Sequence, residues 1–137
     1  MILQRMTLLL AAVMAVVGIL IYAAAAHATD GPGGQAQFSL STGALMLLTH
    51  APVLIGVVAI SDRARWPAAW ALAAITIGLA NGLFAASVSL PHLSDYDVTL
   101  PAGAGPVSAF ILIGGWAAFA VLALIGLRRG AQPSARD

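Results

Sequence analysis

The stretch LSTGALMLLTHAPVLIGVVAI-SDRAR-WPAAWALAAITIGLANGLFAASVSL, residues Leu40 to Leu90, decides how the chain folds. Two apolar runs, Leu40–Ile60 and Trp66–Leu90, are joined by the short charged segment Ser61–Arg65. Neither run contains Asp, Glu, Lys or Arg. Each is close to the ~20 residues that a helix needs to cross a ~30 Å hydrocarbon core. A link this short forces the two helices to be antiparallel neighbours. Transmembrane β-strands would be shorter and would alternate polar with apolar, which these runs do not do.

Two further runs flank the hairpin, Met6–Ala26 and Gly105–Leu127, and they are equally free of charge. The 137-residue chain is 61% hydrophobic and 8% charged, against roughly 25% charged in soluble domains. Its mean hydropathy is +0.96. Too little polar surface exists to keep a soluble globule wetted. The expected fold is an all-α integral membrane protein, a four-transmembrane-helix up-down-up-down bundle. One domain covers 1–129, with spans near 6–26, 40–60, 66–90 and 105–127. Residues 130–137 form a short polar tail.

The charges orient the bundle. The six basic residues are Arg5, Arg63, Arg65, Arg128, Arg129 and Arg136. They lie before span one, between spans two and three, and after span four. The other two connections hold Asp30, Asp95 and Asp97 and no basic residue. The positive-inside rule therefore places both termini in the cytoplasm, as for a multi-pass protein of a bacterial inner membrane. The acidic loops face outward, into the periplasm of a Gram-negative cell. A net charge of +1 gives no reason to expect a nucleic-acid partner. With no cysteine, disulfides and thiolate metal sites are excluded.

Arg5, the first apolar run and Ala26-His27-Ala28 also resemble the parts of a signal peptide. The run is longer than the usual ~7–15-residue apolar region, which favours a retained span, with cleavage after Ala28 as the alternative. Elsewhere, Gly31-Pro32-Gly33-Gly34 interrupts helix formation. Ser39, Ser41 and Thr42 offer caps for span two. Pro67 suits the first turn of span three. Pro91, Pro101 and Pro106 bracket the outer loop and the start of span four. Trp66 and Trp70 are expected in the headgroup zone.

Ala74, Gly78, Gly82 and Ala86 form a ridge of small side chains on span three, with Gly78 and Gly82 as a G-x-x-x-G pair. The ridge serves contact within the bundle or docking of another subunit. His50 lies near the middle of span two, where a titratable group should face protein rather than lipid. Pro52 cannot donate to the carbonyl of Leu48, so an acceptor is freed nearby. Asn81 is the most polar residue within span three. Both residues sit about nine positions from the outer ends of their helices, a depth of roughly 13–14 Å, and are expected to lie level and within hydrogen-bonding reach. Glue between helices, a proton relay and haem ligation are the possible roles of His50. No second intramembrane His supplies the other axial ligand, and no cofactor is expected.

At the outer surface, His27-Ala28-Thr29-Asp30 and His92-Leu93-Ser94-Asp95 follow two spans that run in the same direction. His27, Asp30, His92 and Asp95 are candidate metal ligands, since imidazole and carboxylate suit zinc or copper(II). Capping of helix ends is the plainer reading. No Glu occurs, no carboxylate lies within a span, and no phosphate-binding glycine loop or catalytic triad is evident.

Four short patterns resemble the domain of unknown function 423 family of small four-helix inner-membrane proteins, with its transmembrane protein 256-like relatives. Tyr22-Ala-Ala-Ala-Ala-His27 is similar to that family's Gly-Ala-Phe-Gly-Ala-His, without the glycines and the Phe. His50-Ala51-Pro52-Val53-Leu54 is similar to its His-Ala-Leu-Ala-Leu, without the preceding Tyr-Gln. Leu83-Phe84-Ala85-Ala86-Ser87 is similar to Leu-Phe-Ser-Gly-Ser. Pro106 and Gly115-Trp116 keep the spacing of the family's fourth helix. The resemblance implies the fold, a membrane location and a divergent member, and it carries no established activity. It nominates His27, His50, Pro106 and Trp116, with Trp116 expected as a buried anchor against a glycine ridge. The functional expectation is a non-catalytic accessory or assembly subunit. Its partners are the lipid bilayer and another membrane protein or a second copy of itself. The alternative is a small transport, channel or metal-handling protein using His50, Asn81 and the outer His/Asp residues.

Overall fold

A computed structural model describes residues 2–28, 34–61, 64–95 and 97–129. Four helices follow in order: α1 (Ile2–Ala26), α2 (Gln35–Ser61), α3 (Pro67–Leu93) and α4 (Ala104–Arg129). All four are long and apolar enough to cross a membrane, and the described residues include no strand. The protein is an all-α, four-helix membrane protein whose apolar faces meet lipid.

Each helix is longer than its apolar run, because the helical hydrogen-bond pattern continues into the polar flanks. α2 starts at Gln35, with the Phe38 amide bonded to the Gly34 carbonyl at 3.0 Å. Ser39, Ser41 and Thr42 therefore lie inside the helix and are not its caps. Pro67 occupies the first turn of α3, where its missing N–H costs nothing. Pro91 lies within α3 rather than in the following loop. The helix ends just beyond it, where the Ser94 amide and hydroxyl both bond the Leu90 carbonyl, at 3.1 and 2.8 Å.

Consecutive helices pack against each other, and α1 also touches α3. Along its backbone α4 approaches only α3 among the described helices. The architecture is thus a three-helix core with α4 attached to one side. Burial follows this arrangement. Of the most apolar window of each helix, 44% is buried in α3 against 17% in α4. The core is built from Ala11 and Met14 of α1, Ala44, Leu47 and Leu54 of α2, and Ala74 and Ile77 of α3. Processing after Ala28 would strip Ala11, Met14, Ile21 and Ala25 from that core.

Glycines set the distances between helices. At Gly18 an added Cβ would fall 2.9 Å from Leu48 and 3.2 Å from Leu47, so α1 lies tight on α2. At Gly43 it would overlap the hydroxyl of Ser89, so α3 lies tight on α2. At Gly78 it would meet Leu10 of α1 and, at 3.0 Å, Leu54 of α2. At Gly115 it would fall 2.8 Å from Ile77, which seats α4 on α3. Lipid supplies no hydrophobic drive for helix association, so such close approaches carry the packing.

The Gly43→Ala substitution is expected to destabilise the bundle by about 1–3 kcal/mol, as overpacking does in dense cores. Ser89→Ala in the same chain should recover part of the loss by removing the overlapping hydroxyl. Reversible unfolding in detergent, followed by circular dichroism, measures both.

Candidate polar site within the membrane

One carbonyl organises the polar groups of the membrane interior. The Asn81 amide nitrogen donates to the Met46 carbonyl oxygen at 2.7 Å, crossing from α3 to α2. The same oxygen lies 2.8 Å from His50 Nδ1. His50 and Asn81 are therefore level in the membrane, as their positions along α2 and α3 imply. They bond to a shared acceptor and not to each other. A carbonyl oxygen only accepts, so Nδ1 of His50 carries a proton in this contact. His50 Nε2 has no hydrogen-bond partner among the described residues.

Thr49 donates to the Leu45 carbonyl at 2.7 Å, and its hydroxyl oxygen lies 3.3 Å from His50 Nδ1. Asn81 is fully buried, and its Oδ1 has no partner. The hydroxyl of Ser89, about two helical turns further along α3, is likewise buried and unpartnered. An unpaired acceptor in an apolar interior is costly. The Asn81 amide thus holds α3 on α2 with one half and leaves the other half unsatisfied.

The imidazole of His50 also meets Trp116 of α4, ring centres 6.0 Å apart and tilted by 59°. Trp116 continues to Phe119 at 5.8 Å, and Phe119 meets Trp70 edge-on at 4.8 Å. An aromatic row therefore runs along the seam beside α4. Trp116 is 36% exposed, which corrects the expectation of a buried anchor on a glycine ridge. The reason is that the backbone of α4 approaches only α3 among the described helices, with Gly115 at the close contact, while Trp116 lies beside that seam against His50. Trp70, in the first turn of α3, is buried and packs edge-on against Phe119. Trp66 is exposed, with Arg65 stacked 5.1 Å from its ring centre.

The ridge on α3 divides into two halves. Ala74 and Gly78 are buried, with Leu10 and Leu54 packed on Gly78. Gly82 meets nothing within 4 Å of its Cβ position, and Ala86 is half-buried. The first half is spent on contact within the bundle, and the second faces an open groove.

Of the proposed metal ligands, His27 is exposed just past α1, His92 is half-buried in the last turn of α3, and Asp95 is exposed at a positive φ of 49°. Asp30 lies outside the described residues. Among the described residues no three His, Asp or Glu side chains gather as a metal site would require. Comparison with protein families, curated proteins and solved structures finds no match to this chain.

Gly18 and Gly43 escaped the sequence reading, because a lone glycine in an apolar run carries no sign of its partner, and Gly115 was visible only as part of the Gly115-Trp116 pattern. The Met46 carbonyl escaped it as well, since every residue has one. Replacement of Asn81 by Ala should cost about 0.6 kcal/mol and at most about 1.7, the range for hydrogen bonds between membrane helices. Unfolding in bicelles measures this. Nitrogen-15 NMR of the labelled imidazole should show the proton of His50 on Nδ1.

Proposed function

We propose that this small integral membrane protein is a non-catalytic accessory or assembly subunit, and that α4 is the helix it presents to a larger membrane complex. One observation supports this reading above the others. The backbone of α4 approaches that of α3 alone among the described helices, and its outward face carries Gly114 and Ala118, both exposed and four residues apart. Nothing lies within 4 Å of the Cβ position at Gly114. A small-x-x-x-small pair lets a second helix approach closely, and here it lies on the helix with the least internal packing.

The resemblance to the domain of unknown function 423 family is consistent with this role, through His27, His50, Pro106 and Trp116. The distribution of arginines supports placement in a bacterial inner membrane with both termini cytoplasmic. A second reading, a small transport, channel or metal-handling protein, is favoured by the two unpaired acceptors, Asn81 Oδ1 and His50 Nε2. Under that reading the protein would carry metal, or would form a homo-oligomer closing a path past His50.

The experiment is gentle extraction of the tagged chain and mass spectrometry of what accompanies it. A large membrane complex at equal stoichiometry supports the accessory role, and a homogeneous homo-oligomer with bound metal overturns it. Gly114→Leu with Ala118→Leu should reduce recovery of the partner about tenfold, equivalent to about 1.4 kcal/mol of lost packing. The melting temperature should stay unchanged, because neither side chain meets a neighbour. The chain has no cysteine, so single cysteines report topology cleanly. Arg65→Cys should react with impermeant maleimide only from the cytoplasmic side, and Ser94→Cys only from the opposite side.

A further inference from the structure

The half of the α3 ridge that the bundle leaves uncovered opens onto a groove of about 400 Å³ between α1 and α3. Its walls run from Leu10 to Ile21 on α1 and from Gly82 to Leu93 on α3, with Leu47 of α2 in the floor. The lining is apolar apart from Ser89, whose hydroxyl is turned against Gly43. The groove has a structural cause. Gly18 draws α1 onto α2, and Gly43 draws α3 onto α2, in the same half of the bundle. Two helices pulled toward a third are held apart from each other. Deeper in the membrane, Leu10 on Gly78 closes the gap.

We infer that this groove is a binding site for one hydrocarbon chain of a bilayer phospholipid. Its dimensions decide the occupant. Eleven residue steps along either wall span about 16 Å, the depth of one leaflet of a ~30 Å core. Spread over that length, about 400 Å³ corresponds to a cross-section of about 25 Å². A helix with its side chains is about 10–12 Å across, or about 80–110 Å², and does not enter. Carbon atoms in contact lie about 3.5–4.0 Å apart, so one extended methylene chain takes about 12–16 Å² and fits. The groove runs from mid-membrane to the surface where α1 and α3 end, which is the path of a chain hanging from a headgroup in that leaflet. The site is independent of any partner on α4, since it lies between α1 and α3.

Val17 and Val107 make the test internal. Val17 lines the groove, whereas Val107 lies on the outer face of α4. The contacts of Leu10 with Gly78 and of Ser87 with Gly105 put both valines level with Ala85. They share side chain and depth, and Val107 is the more exposed, at 53% against 38%. The full chain is reconstituted in phosphatidylcholine vesicles containing a minor fraction of the same lipid with a diazirine on its chain. After illumination, mass spectrometry counts lipid adducts at each residue. Val17 should be labelled about five- to tenfold more than Val107, the residence advantage of roughly ten additional carbon contacts. Gly82→Leu places its side chain where nothing lies within 4 Å of Cβ and should bring Val17 down to the level of Val107. Equal labelling of the two valines in the unmodified protein overturns the proposal without recourse to any variant. So does undiminished labelling of Val17 in a folded Gly82→Leu protein, or protection of Val17 by a second protein chain.

Discussion

Close approach at glycine is the constraint on which the rest of this structure depends. Inside a bilayer an apolar side chain gains nothing by leaving lipid for protein, so helices associate through dispersion, hydrogen bonds and fit. Gly18, Gly43 and Gly78 each admit a neighbouring side chain into space that a Cβ would occupy. All three contacts involve α2, directly or through Leu54. They bring α1 and α3 onto one central hairpin partner, and they do so at different depths. The level of Leu10 and Gly78 closes the three-helix core. The level of Gly18 and Gly43 spreads it. One set of small residues therefore explains both the packing of the bundle and its groove.

The polar cluster adds register to this fit. Glycine contacts tolerate a slide along the helix axis better than a hydrogen bond does. The bond from Asn81 to the Met46 carbonyl pins α3 against α2 at one height, with His50 on the same oxygen. A carbonyl that already serves its own helix accepts further donors through its second lone pair. Three side chains converge on this one oxygen, since the Thr49 hydroxyl also reaches it at 3.3 Å. The aromatic row then relates α4 to this level through His50 and Trp116.

The four spans and their antiparallel order were legible in the sequence because bilayer thickness is a strict ruler and charge a strict excluder. The shared depth of His50 and Asn81 was legible for the same reason: counting from the helix ends converts directly into distance. Which faces meet was not legible. A chain that is apolar all round carries no amphipathic signal, so Trp116 looked like a core anchor though it sits at an edge. The ridge on α3 was visible as a pattern, yet the pattern repeats past the point where α1 stops covering it. Ser39, Ser41 and Thr42 read as caps, and the helix instead extends to Gln35, since flanks outside the hydrocarbon core have water to satisfy their side chains.

The position of α4 separates two tasks within one short chain. α1 to α3 bury one another and need nothing further to explain their packing. α4 rests on α3 through Gly115 against Ile77, Gly105 near Ser87, and Phe119 on Trp70, and it reaches α2 through Trp116 against His50. On the opposite side Phe110 and Ile113 are exposed, and nothing lies within 4 Å of the Cβ position at Gly114. A helix needed only to complete a bundle would sit in the notch between two neighbours, where it buries more. Holding α4 outside that notch sacrifices internal packing and leaves a broad face within the membrane.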